Sequence, residues 1–213
     1  MRYRNIIFDL DGVLVFTDKY HYLAWKAIAD KHNIPFDENI NNRLRGVSRM
    51  ESLDIILSYS KKNYSIHERS IMAEEKNNIY KSLLNNLTSD SVNSKTIDVL
   101  EELRSMNISM AIGSSSKNAE LILQKIGIMH FFDAVSSGLN ISQSKPNPEV
   151  FLKAAEYLNA HPKSCLVVED AHAGIEAAQN GGFDSVGIGD AYYSDIATYK
   201  IRNIKELINI VKQ

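Results

Sequence analysis

Along most of the chain, short unbroken apolar runs alternate with longer stretches in which apolar residues recur every three or four positions. The runs predict strands at 4–9 (RNIIFD), 108–113 (ISMAIG), 133–136 (DAVS), 165–169 (CLVVE) and 184–188 (DSVGI). Between them SKTIDVLEELRSM, KNAELILQKIG and NPEVFLKAAEYL have helical spacing, with Gly127 as a stop signal and Pro148 as a first helical residue. Such alternation builds βαβ units, so the expected fold class is α/β, a doubly wound parallel-sheet (Rossmann-like) core.

Residues 17–87 break the alternation, with three helical stretches and no convincing strand. DKYHYLAWKAIADKH would align Tyr20, Leu23, Ala24, Ala27 and Ile28 on one face and stop at Asn33, before Ile34–Pro35. SRMESLDIILSYS opens with Ser48 and Glu51 spaced as a capping box, and Ser65 and Glu68 repeat that signal in SIHERSIMAEEKNNIYKSLLNNL. The expected organisation is an inserted helical cap domain, 17–87, within a core of 1–16 and 88–213. SDSVNSK (89–95) would be the returning linker.

Composition adds mainly exclusions. A chain of 213 residues can bury a full core, and its 44% hydrophobic and 23% charged content is that of an ordinary globular protein. A net charge of −2 gives no electrostatic case for nucleic acid or a membrane surface, so any anion site must be built locally. Cys165, the single cysteine, lies in the apolar stretch SCLVVED and is expected to be a buried core thiol. No apolar stretch approaches the ~20 residues that span a bilayer, and the apolar run before Asp9 is too short for a secretory segment. A cytoplasmic protein is expected.

The chemistry collects where parallel sheets bind ligands, at the carboxyl ends of strands. Asp9-Leu10-Asp11-Gly12, Ser114-Ser115-Ser116-Lys117-Asn118, Lys145-Pro146 and Glu169-Asp170 all fall there. Any one of them alone reads as a turn, a helix cap or a solvated loop. Together they place several carboxylates on one rim, where they repel unless a divalent cation neutralises them. Oxygen ligands without nearby His or Cys favour Mg²⁺. A lysine, serines and free helix N-termini supply the positive side of an anion site.

FDLDGVL, the serine-rich stretch, the KP lysine and VVEDAHAGIEAA resemble, in order, the four motifs of the haloacid-dehalogenase-like phosphotransferases. Within them the chain more closely resembles the β-phosphoglucomutase group, through YHYLAWKAIA, RGVSRMESL, EEKNNIY, GSSSKN and SKPNPEVF. The resemblance implies Asp9 as the nucleophile that becomes an aspartyl phosphate and Asp11 as general acid/base. Ser114 and Lys145 would hold the transferring phosphoryl group, and Asp9, the Asp11 carbonyl, Glu169 and Asp170 would hold Mg²⁺.

A mutase must also grip its substrate's other phosphate. Arg49, at the start of a capped helix, combines a guanidinium fork with free backbone N–H groups, and Ser116, Lys117 and Asn118 would share the task. The resemblance further places Thr17, His21, Arg45, Gly46, Ser52, Lys76 and Ser115 around the site. Arg49 as a surface charge, Thr17 as a helix cap and His21 as a packed hinge residue remain alternatives. Tyr20 and Trp25 are assigned to packing, Trp25 also to a pocket wall. Two positions depart from the group: Arg45 stands where its best-known members carry Lys, and Phe16 where an acid is common.

The implied reaction interconverts β-glucose 1-phosphate and β-glucose 6-phosphate through bound β-glucose 1,6-bisphosphate, in a monomer whose partners are small sugar phosphates. Two alternatives are a sugar-phosphate phosphatase on the same scaffold and a phospho-accepting signalling module.

Overall fold

The computed structural model describes residues 2–44 and 47–213. Its strands are β1 (Asn5–Phe8), β2 (Ser109–Gly113), β3 (Ala134–Ser136), β4 (Cys165–Glu169), β5 (Asp184–Gly187) and β6 (Tyr199–Lys200). Among the described residues the insert that follows β1 holds four helices, α1 (Asp18–Lys31), α2 (Glu38–Asn42), α3 (Arg49–Leu57) and α4 (Ile66–Leu83). Then come α5 (Ser94–Ser105), α6 (Ala119–Lys125), α7 (Glu149–Tyr157), α8 (His172–Asn180) and α9 (Leu207–Val211). The sheet order is β3-β2-β1-β4-β5-β6, with every neighbouring pair parallel. The fold is therefore the expected doubly wound α/β sheet.

Alternation along the strands divides the core into two layers. Ile6, Phe8, Met110, Ile112, Leu166 and Val168 point to one face, where they pack with α5, α6 and α9. Ile7, Ala111, Cys165 and Val167 point to the other, under α7 and α8. This two-sided burial explains why the strands read as unbroken apolar runs. Cys165 is one of these core side chains, and burial pushes its thiol up to about 11.

The helical insert has an apolar cluster of its own, with Trp25, Ile28, Phe36, Leu53, Ile56 and Met72 among its members. Both predicted capping boxes form, Ser48 with Glu51 and Ser65 with Glu68. Left-handed residues end several helices: Asn33 follows α1 with φ 53° and Gly127 follows α6 with φ 75°.

Several expectations need correction. The buried face of α1 carries Ala24, Trp25, Ile28 and Ala29, whereas Leu23 and Ala27 are exposed, so the stripe is rotated by about one residue. The cause is that α1 packs two ways, with Ala24 joining the sheet cluster and Trp25 the insert's. Pro148 is the N-cap of α7 and not its first helical residue. The two-residue β6 and the five-residue α2 and α9 are too short to carry a period, and α8 lay hidden inside a motif. The stretch 89–95 is not a bare linker, because it holds a 3₁₀ turn, Ser89–Ser91, and the start of α5. No described helix is long and apolar enough to cross a membrane.

The strand order turns around at β1, which has β2 on one side and β4 on the other. Phe8 is level with both Ile112 and Val168, so Asp9, Gly113 and Glu169 emerge side by side at the carboxyl rim.

Candidate active site

The sheet side of the site begins where β1 ends. Asp9 stays in the ladder, its N–H donating to the Val168 carbonyl at 2.9 Å, and the chain then turns back so that the Gly12 N–H reaches the Val15 carbonyl at 2.7 Å. Gly12 adopts φ 92°, and a Cβ there would fall 2.0 Å from Asp170 Oδ2. Gly174 on α8 plays the same part for Glu169, since a Cβ at that position would lie 1.8 Å from Oε1. Both glycines leave the space that these carboxylates fill. Oxygens of Asp9, Glu169 and Asp170 consequently lie within 4.8 Å of one another.

Lys145 arrives on the loop between β3 and α7. Its Nζ donates to Asp9 Oδ1 at 2.5 Å and lies 3.6 Å from Glu169 Oε1, with all three side chains buried. One ammonium cannot neutralise this many acids. Burial first, and the charge of Asp9 next, push Asp11 and Asp170 up to about 7 and raise Glu169, while burial raises Asp9 itself against the opposing pull of Lys145. Burial disfavours the Lys145 ammonium, but Asp9 and Glu169 outweigh it and push the group up to about 12. Glu169 Oε2 is buried without a hydrogen-bond partner among the described residues, a costly state for an acceptor. Clustered hard oxygens, one of them orphaned, fit a divalent cation such as Mg²⁺. The Asp11 carboxylate is not part of that cluster, which leaves its backbone carbonyl as the ligand expected from it.

Asp11 has a different set of neighbours. Thr17 donates its hydroxyl to Asp11 Oδ1, and Tyr80 on α4 donates to Thr17 Oγ1 at 3.2 Å. Above them lies a basic wall supplied by the insert. Lys76 on α4 is 3% exposed, with Nζ 2.9 Å from His21 Nδ1 and within 4.9 Å of the ring centres of Trp25 and Tyr80. Burial, then Lys76 and Arg49, hold His21 well below the usual histidine range, so the neutral ring accepts from Lys76 and keeps its proton on Nε2. Burial and then Arg49 lower Lys76 to about 7. Arg49 opens α3, behind the Ser48 cap.

The loop after β2 completes the cleft. The Ser116 N–H donates to Ser114 Oγ at 3.1 Å and the Asn118 N–H to Ser116 Oγ at 3.2 Å, while Ser115 Oγ is buried without a partner among the described residues. Asn118 also reaches the insert, its Nδ2 donating to Asn77 Oδ1 at 3.0 Å. Between the two walls is a cavity of about 690 Å³, large enough for a phosphorylated sugar.

The family model for haloacid dehalogenase-like hydrolases matches residues 6–188, a span that includes all these elements of the sheet rim and the insert. The chain belongs to that family. Among its relatives, the β-phosphoglucomutase of Bacillus subtilis is 40% identical over 188 residues, 87% of this chain and 83% of the relative. The fructose-1-phosphate phosphatase of Escherichia coli is 30% identical over 88% of this chain and 97% of the relative. The crystal structure of a β-phosphoglucomutase from Clostridium difficile superposes with a TM-score of 0.93 at 39% identity, covering 99% of this chain and 96% of that one.

For this haloacid dehalogenase-like chain, one cavity brings together nearly all the residues singled out by sequence. Asp9, Asp11, Ser114, Lys145, Glu169 and Asp170 line its sheet side, and Ser115, Ser116, Lys117 and Asn118 its rim. His21, Trp25, Arg49, Ser52 and Lys76 line the insert side. Thr17 does not line the cavity: it stands behind Asp11, and although it is the N-cap residue of α1 its hydroxyl makes no cap bond. Arg45 and Gly46 lie outside the described residues. Phe16 is 73% exposed and is not part of the cavity lining, so it adds no apolar wall. Sequence reasoning missed Tyr80 and Asn77, which face the site from α4 one turn and one residue beyond Lys76. The motif EEKNNIY contains both, but only helical phase marks them as cleft residues.

Proposed function

We propose that the protein is a Mg²⁺-dependent β-phosphoglucomutase that interconverts β-D-glucose 1-phosphate and β-D-glucose 6-phosphate. The observation that carries this reading is the pairing, across one cavity, of a carboxylate–lysine rim with a second set of cations on the insert. A phosphatase needs the first; a mutase, which handles a bisphosphate, needs both. The 40% identity to the Bacillus subtilis enzyme supports the choice.

In this reading Asp9 attacks phosphorus, forming an O–P bond as the bond to the sugar oxygen breaks, and Asp11 gives its proton to that leaving oxygen. A carboxyl near 7 can do this and then take a proton back from the hydroxyl that receives the phosphoryl group. Thr17 and Tyr80 fix the Asp11 side chain. Lys145 and Ser114 hold the transferring oxygens. Mg²⁺ would be held by Asp9, Glu169, Asp170 and the Asp11 carbonyl, and would neutralise charge on the transferring group. Arg49, with Ser116, Lys117 and Asn118, anchors the other phosphate, so that β-glucose 1,6-bisphosphate stays bound between half-reactions. Residues 17–87 act as a lid over the core, 1–16 and 88–213, and exclude water from the aspartyl phosphate.

Purified protein supplied with Mg²⁺ and β-glucose 1-phosphate should form glucose 6-phosphate, faster with a trace of the bisphosphate. Release of glucose and inorganic phosphate without isomerisation would establish the phosphatase reading instead. Inactivity toward both anomers would overturn either.

A further inference from the structure

The hydrogen bond between Asn77 and Asn118 joins residues 41 positions apart, one on the insert and one on the loop after β2. Both line the cavity. Asn118 is 7% exposed, and its backbone N–H is tied to Ser116 Oγ at 3.2 Å. An amide held only through its backbone can still rotate, presenting either its oxygen or its NH₂ to the cavity. The acceptor oxygen of Asn77 holds the amide in one of these orientations: it takes one hydrogen of Asn118 Nδ2 and leaves the other free to donate. The Nδ2 of Asn77 has no hydrogen-bond partner among the described residues, so the pair can offer N–H donors to an anion from two elements at once.

Helix position makes this contact informative. Asn77 follows Lys76 directly on α4, and Tyr80 lies one turn farther on. The face of α4 that carries the buried lysine and the tyrosine behind Asp11 therefore also carries the acceptor for Asn118. The contact exists only while α4 lies against the loop after β2.

We propose that Asn77 is a positioning residue for the anchored, non-transferring phosphate: by accepting from Asn118 it turns that amide into a donor and makes the phosphate anchor complete only when the insert sits on the core. The inference rests on the mutase reading of the cavity, in which Asn118 belongs to the phosphate anchor. Asn77 thereby links sugar-phosphate affinity to insert position, while the rim that handles the transferring group does not depend on it.

Equilibrium binding of two probes, glucose 6-phosphate and inorganic phosphate, tests this in the presence of Mg²⁺. The chain has one tryptophan, Trp25, in the cavity wall, so its fluorescence reports occupancy, with calorimetry as a second readout. Asn77→Ala, a favourable helix substitution, should weaken glucose 6-phosphate about tenfold and change inorganic phosphate less than twofold. In an Asn118→Ala background the same substitution should add less than a factor of two, because its effect passes through Asn118. Unchanged glucose 6-phosphate affinity in Asn77→Ala, equal weakening of both probes, or effects of the two substitutions that simply multiply would each overturn the role given to Asn77. A wild-type protein that binds glucose 6-phosphate no better than inorganic phosphate would overturn the phosphate anchor itself, and with it the mutase reading.

Discussion

The two walls of the cavity are electrostatic opposites. The sheet side gathers Asp9, Asp11, Glu169 and Asp170 around a single lysine, and burial raises the carboxyls toward neutrality. The insert side gathers Arg49, Lys76 and His21, and burial lowers Lys76 and His21 toward neutrality. The sheet wall carries more acid than its lysine can neutralise, whereas on the insert wall Arg49, Lys76 and His21 share the lining with Asp18 and Glu74. A cation suits the first and an anion the second, so the cavity as a whole suits a metal–phosphate pair with a second phosphate beyond it. An ordinary protein interior avoids both arrangements.

The comparison breaks most completely if the sheet wall loses Asp9, the proposed nucleophile. Asp9→Asn should lower turnover of β-glucose 1-phosphate by at least about 10⁴-fold and leave no acid-stable phosphate on the protein after incubation with bisphosphate. Next in size, Gly174→Ala should raise the Mg²⁺ concentration for half-maximal activity by about 10–100-fold, because the new methyl would occupy the place of Glu169 Oε1. An unchanged Mg²⁺ titration would remove Glu169 from the cation site. On the opposite wall, Arg49→Ala should raise KM for β-glucose 1-phosphate about tenfold, as expected for a charge-assisted hydrogen bond, with hydrolysis of acetyl phosphate nearly unaltered. Equal losses with both substrates would show that Arg49 does not act on a distal phosphate.

The smallest effect concerns the empty protein. Lys76 falls to about 7 in the fold, from an ordinary lysine value of 10.5. Between those values the unfolded chain holds a proton that the folded protein has given up, so this group's contribution to stability rises with pH from about 7 to about 10.5. Below that window the full cost of a buried ammonium is present. Lys76→Met should therefore stabilise the ligand-free protein at pH 6, and the gain should fade by pH 10. Urea unfolding at the two pH values measures it, and a gain that grew with pH would contradict the charge assigned to this wall.

The two walls also differed in how far the sequence disclosed them. The carboxylates of the sheet wall were legible because they follow apolar runs, and strand ends in a parallel sheet converge by topology alone. Asp9 and Glu169 needed only the register of β1 against β4. The insert wall depends on helical phase and on where separate helices meet, which no local pattern fixes. The rotated face of α1 shows this: Ala24 and Trp25 serve different apolar clusters, so no single stripe describes the helix. Tyr80 and Asn77 were missed for the same reason. Tyr80 makes its bond to Thr17, 63 positions away, and Asn77 to Asn118, 41 away. The capping boxes, being purely local, were read correctly.

The separate apolar cluster inside the insert has a bearing on descent. Its buried members run from Trp25 to Ala73 and are distinct from those of the clusters that hold the sheet, with Ile79 packed against both, whereas Ala24, Tyr80 and Leu84 root α1 and the end of α4 in the sheet cluster. Mutation can therefore redraw the roof of the cavity while the machinery beneath keeps its shape. A lineage built this way can change diet without relearning its chemistry, as relatives named for different phosphorylated compounds on one shared fold suggest.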